Sequence, residues 1–205
     1  MDENVLVATR RSLHAVAEHL LAGPQYRERG TIRLRASPGG LAQVQGPVRV
    51  DGTDLVVGEH RVPLAGTIAE VAAAAGLAAG VPEGLYGDHA DWADGEELTV
   101  DPGAAGVLAD WFDRGDAGLR AFAGASTEPV IWPEHFDLAV TVDEVNYGVS
   151  PGDTGHQEPY AYVGPWTLRE GPFWNAAFGA LRGAAELPDA AAVAAFFTAG
   201  RAAAG

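Results

Sequence analysis

Between Thr31 and Leu64, apolar side chains recur at every second position in the short runs TIRLRAS, LAQVQ, VRVDG, TDLVVG and HRVPL, and the turn signals PGG, DGT and GEH separate them. Period two marks a strand with one covered face, and tight glycine-containing turns join successive strands in antiparallel sense. A chain punctuated in this way is committed to a meander of four or five strands. Whatever precedes or follows must pack on that sheet or extend it.

The flanking segments are predicted mainly as helices. Leu6, Leu13, Val16, Ala17, Leu20 and Leu21 fall at helical spacing from Val5 to Ala22, and the following GPQ reads as a stop. Thr67 with Glu70 forms a capping box ahead of an alanine-rich helix that Gly76 ends. The acidic stretch after it reads as loop, with a short strand expected from Glu97 to Val100. Asp101 and Pro102 open a helix expected to run to about Phe112, with a second piece from Asp116 to Ala123 beyond the Arg114-Gly115 interruption. Three further strands are expected: one from His135 to Asp143, one from Asn146 to Ser150 and one from Glu158 to Val163. A last helix from about Asp189 to Arg201 buries Val193, Phe196 and Phe197.

These elements define an α+β fold: antiparallel sheets, as a β-sandwich or partly closed barrel, with N-terminal, central and C-terminal helices. No 20-to-50-residue period recurs. A single domain over residues 1–205 is expected; the alternative is a helix-plus-meander half, 1–124, and a β-rich aromatic half, 128–205.

Composition removes whole classes of chemistry. The chain has no Cys, so disulfides, thiolate nucleophiles and Fe–S clusters are excluded. All 13 basic residues are Arg, which rules out a pyridoxal phosphate Schiff base on this chain. Arginine without lysine, amid so much Ala and Gly, reflects GC-rich coding and carries no functional message. A net charge of −15 repels phosphate backbones and anionic lipid, so neither nucleic acid nor membrane is an expected partner. No leader or spanning segment is visible, and a cytoplasmic location is expected. No G-x-G-x-x-G follows a strand and no P-loop occurs, so there is no nucleotide signature.

Chemistry-bearing residues concentrate between Trp132 and Trp166. His135 and Asp137, two apart on an expected strand, would leave the same face and meet Glu158 or Tyr160 from a neighbour; they are the catalytic candidates, an Asp-oriented imidazole serving as general base. With His156, the set His135, Asp137, His156 and Glu158 could hold a divalent metal, although His-x-Asp lacks the His-x-His spacing of a cupin. The plain alternative is a polar strand face with a His–Asp hydrogen bond. Trp132, Tyr147, Tyr160, Tyr162, Trp166 and Trp174 are the ligand-binding candidates, since amphipathic rings line pockets, though they also build ordinary β cores. Ser150 lies in VSPGD rather than in a nucleophile elbow and reads as a turn residue. Asp143, Glu144, Asn146 and Asp153 lack the spacing of a calcium loop. Arg10, His14 and Glu18 read as a surface ladder on the first helix, and His60 and His89 as solvated.

The strings HFDLAVT, GVSPGD and EPYAYV resemble a block shared by uncharacterised bacterial proteins, over roughly Trp132 to Pro165, and a closer likeness, to hypothetical actinobacterial proteins carrying WPEHFDL and NYGVSPGD, extends along most of the chain. The resemblance implies a common fold for the block and assigns no residue roles. The WPEH lead-in is absent from the first group, which leaves His135 outside that likeness. The resulting expectation is a soluble small-molecule-binding domain with an aromatic-lined pocket beside the 135–163 strands. The alternative is a metal-assisted enzyme of hydrolase or oxygenase type.

Overall fold

The computed structural model describes residues 2–87 and 89–205; Asp88, within the acidic segment expected as loop, lies outside them. Among the described residues the protein is α+β, with helices at both ends of the chain and ten antiparallel strands in a sheet that does not close on itself. Two compact units are interleaved in sequence, the first comprising Met1–Asp110 and Ile131–Phe136, the second Trp111–Val130 and Asp137–Gly205.

In the first unit, α1 (Glu3–Val16) passes without a break through a wide π-type turn, Ala17–Ala22, into α2 (Gly23–Arg29). The expected stop at GPQ does not occur. The Gly23 N–H reaches back five residues to the Glu18 carbonyl, and this widened turn accommodates Pro24, which has no N–H to donate. Glycine is required at position 23 because a Cβ there would lie 1.7 Å from the Gly80 carbonyl oxygen. The meander follows as β1 (Leu34–Ser37), β2 (Gly40–Gln43), β3 (Val48–Asp51), β4 (Asp54–Val57) and β5 (His60–Pro63), each strand paired with the next. The π-type turn packs against β2, β3 and α3 (Ile68–Ala75), burying Leu20 and Leu21 with Leu41, Val50 and Leu55. Thr67 and Glu70 form the expected capping box, and Gly76 closes α3 in the left-handed region at φ 69°. Residues 77–87 and 89–101 are irregular; the strand expected at Glu97 is reduced to a lone bridge with Thr67. Strand β6 (Val130–Trp132) pairs through Ile131 with Leu34 of β1.

The helix expected as two pieces is one, α4 (Pro102–Ala123). Asp101 caps it, accepting from Ala104 N–H at 2.9 Å. Gly115 does not break it: a Cβ there would come within 2.2 Å of Val149, so helix and strand meet where a side chain is missing.

The second unit holds β7 (Asp137–Val142), β8 (Val145–Ser150), β9 (Tyr160–Pro165) and β10 (Ala180–Gly183), paired in chain order, with α5 (Ala190–Ala204) on β8 and β9. Its core joins Leu119, Leu138, Val149 and Val163 to Val193, Phe196 and Phe197. Tyr147 lies 4.5 Å from Phe122 and 5.9 Å from Phe197 between ring centroids. Asp143 and Glu144 form the two-residue β7–β8 turn, and both have the positive φ (52° and 61°) that a type I′ hairpin demands. Among the described residues, no helix is long and apolar enough to cross a membrane.

Candidate functional site

The strand expected from His135 begins at Asp137. Phe136 takes φ 52°, which ends a turn over residues 133–136 and prevents His135 from sharing a strand face with Asp137. His135 is exposed in that turn, whereas Asp137 is buried at the start of β7 and accepts a hydrogen bond from the Tyr162 hydroxyl. Glu158 is exposed, and the ring of half-buried His156 stands edge-on to Tyr160 at 5.1 Å. The expected metal set is therefore not assembled. Among the described residues, no group of three or more His, Asp or Glu side chains is arranged to hold a metal ion.

What β9 does assemble is a pair of tyrosine–carboxylate locks. Tyr162 donates to Asp137, and Tyr160 donates to Asp153 Oδ2 at 2.5 Å. Asp153 Oδ1 also accepts from the Gly155 and His156 N–H groups at 2.6 and 2.8 Å, shaping the 151–158 loop. Burial, reinforced by these carboxylates, pushes both phenol pKa values up, so the hydroxyls remain protonated donors. The first ties β9 across β8 to the start of β7, and the second ties it to the 151–158 loop.

The six aromatic candidates do not share one lining. Trp132 is half-buried on β6, in the first unit; Trp174 packs against Phe173 at 5.0 Å; Trp166 is 66% exposed. Tyr147 borders a cleft of about 170 Å³ at the β7–β8 turn, with Asp143, Glu144, Pro165, Arg169 and Arg201 around it. Arg201, in the last turn of α5, lies over the Phe122 ring at 4.7 Å and only 3.7 Å from the exposed Asp143 carboxylate. Burial raises the Tyr147 pKa, while the charge and hydrogen bond of Arg201 oppose that rise.

Sequence reasoning missed a second constellation, in the first unit. Glu18 is fully buried rather than part of a surface ladder, and His89 is bonded to it rather than solvated. Glu18 Oε1 accepts from the Tyr86 hydroxyl and interacts with His89 Nδ1, each at 3.0 Å, and Oε2 accepts from Ala90 N–H at 2.6 Å. One turn away, His14 Nε2 lies 2.7 Å from the Pro133 carbonyl oxygen and its ring stacks on Phe136 at 5.1 Å. Burial holds the pKa values of His14 and His19 below the usual imidazole range despite the nearby Glu18 charge. Arg11 pairs with Glu96 and lies over the Trp92 ring at 4.8 Å. The usable signal was Glu18 embedded in the apolar run VAEHLLA, a carboxylate on the stripe that the helix buries. His60, by contrast, is exposed, with Nε2 3.2 Å from the Ala74 carbonyl oxygen. No protein-family model, curated protein or solved structure matches the chain.

Proposed function

We propose that the protein binds a small molecule in the cleft beside β8 and β9, and that the ligand carries a carboxylate. The observation behind this reading is the pairing of Arg169 and Arg201 around one cleft with Tyr147. Guanidinium groups match carboxylates in fork geometry, and Arg201, resting on Phe122, is partly pre-oriented, which lowers the entropic cost of binding. Asp143, 3.7 Å from Arg201, and Glu144 also border the cleft, repel polyanions and suit a ligand that bears a cationic group as well. A volume of about 170 Å³ accepts a molecule of amino-acid size rather than a dinucleotide.

The net charge of −15 and the absence of Cys fit a cytoplasmic protein without nucleic-acid partners. Titration of sodium propionate and of L-serine, followed by chemical shifts of the exposed Trp166 indole and of Tyr147, tests the reading. Saturable binding weakened at least tenfold in Arg201→Ala is the expected result. Equal binding by Arg201→Ala, or no saturable shift with either probe, would overturn it.

A further inference from the structure

The cleft at the β7–β8 turn contains an ion pair that an incoming carboxylate must break. Arg201 Nη2 stands 3.7 Å from Asp143 Oδ2. That distance is within reach of charge attraction and beyond that of a hydrogen bond, so the pairing leaves both groups able to bond a third. The two partners differ in freedom. Arg201 projects from the last turn of α5 and rests over the Phe122 ring, 4.7 Å from its centroid. Asp143 sits at the tip of the two-residue hairpin turn, and its side chain is 83% exposed. The turn fixes its backbone at φ 52° and leaves the carboxylate free to rotate in solvent. Of the two, Asp143 is the group that yields.

The charged side chains that border the cleft balance, Asp143 and Glu144 against Arg169 and Arg201. A simple monocarboxylate entering this lining meets two acids as well as two guanidiniums, and it takes Arg201 from Asp143 while offering Asp143 nothing. A ligand that also carries an ammonium group offers Asp143 a new partner. Because the Asp143 and Arg201 groups are neighbours at 3.7 Å, that ammonium must lie close beside the ligand's own carboxylate, as it does when both are attached to one carbon. A charge-assisted hydrogen bond from ammonium to carboxylate is stronger than a loose ion pair between exposed side chains. Exchanging the second for the first is favourable.

We propose that the cleft selects α-amino acids and that Asp143 is the residue that makes the selection: it releases Arg201 to the ligand carboxylate and takes the α-ammonium in exchange. This assignment rests on the carboxylate reading of the same cleft and adds to it the class of carboxylate accepted. The moving part is one side chain. Neither the hairpin backbone nor Arg201 on its aromatic support has to shift.

The test titrates sodium propionate, L-alanine, which is propionate with an α-ammonium, and 4-aminobutyrate into the full chain and into Asp143→Asn, read by NMR at the Tyr147 ring and Arg201 side-chain signals. Asn accepts the positive φ of the turn as readily as Asp, so the variant keeps the hairpin. Wild type should bind L-alanine about fivefold more tightly than propionate, and 4-aminobutyrate, whose ammonium is three carbons from its carboxylate, no more tightly than propionate. In Asp143→Asn the changes have opposite sign: propionate, freed of its internal competitor, binds about twofold tighter and L-alanine about threefold weaker, so the preference disappears. No saturable binding of propionate or L-alanine would overturn the carboxylate reading, and this assignment with it. Saturable propionate binding without a preference for L-alanine, a preference that persists in Asp143→Asn, or an L-alanine affinity that the substitution leaves unmoved would keep the carboxylate reading and overturn the role of Asp143. Binding of 4-aminobutyrate as tight as that of L-alanine would overturn the selection of α-amino acids.

Discussion

A carboxylate removed from water must be met by donors, and Glu18 shows how completely one buried residue can organise its surroundings. Three groups from one loop converge on it. Glu18→Ala leaves all three without their acceptor, and the expected loss is on the order of 3 kcal/mol, measurable as a lower urea midpoint. Faster amide exchange at Ala90 should accompany that loss, because its N–H donates to Glu18 Oε2. The histidines of the same helical run set a pH dependence. Burial lowers the pKa values of His14 and His19 from the ordinary value of 6.5, so as pH falls the unfolded chain takes up protons first. Their stabilising contribution is complete above pH 6.5 and is lost as pH drops through that value toward the folded-state values. Urea unfolding between pH 8 and pH 5 should therefore show a decline that is shallower in His14→Gln; an unchanged slope would remove His14 from this account.

At the scale of elements, legibility followed local chemistry. The meander, the Thr67–Glu70 box, the Asp101 cap and the Asp189 cap of α5 are all written in short-range patterns, and the structure contains each of them. The misreadings occur where a distant group decides. Gly115 reads as a helix interruption until Val149 is seen to occupy the space its side chain would take. Gly23-Pro24 reads as a stop, yet Gly80 and the widened turn retain it within a helix. The candidate strand face failed at one residue, Phe136, whose positive φ no aromatic side chain advertises. The Glu18 constellation was hidden because its partners lie about 70 residues away, beyond any periodicity. The second unit offers a test of close packing. A Cβ on Gly148 would meet the Tyr162 ring at 2.6 Å, so Gly148→Ala should push Tyr162 off Asp137 and cost about 1–3 kcal/mol in urea unfolding. If the variant matches wild type, β8 and β9 are less tightly apposed than the register of Gly148 with Tyr162 implies.

For the whole molecule, the governing fact is that the chain leaves its first unit at Asp110 and returns to it only for Ile131–Phe136. That return contributes the partner of Leu34, through Ile131, and the Pro133 carbonyl and Phe136 ring that meet His14. A fragment of residues 1–110 should accordingly be poorly folded, with exchange-labile amides in β1. Fusing residues 131–136 to it through a short flexible linker should restore a cooperative transition; a fully cooperative 1–110 fragment would contradict this. The same path carries a schedule. During synthesis the opening half of the protein is kept waiting while residues 111–130, which belong elsewhere, are made first, a delay on the order of seconds at ordinary elongation rates. For that interval the nascent chain displays the outer edge of β1 and the uncovered face of His14 to whatever is near the ribosome, so the six returning residues act as the clasp that ends its most vulnerable moment.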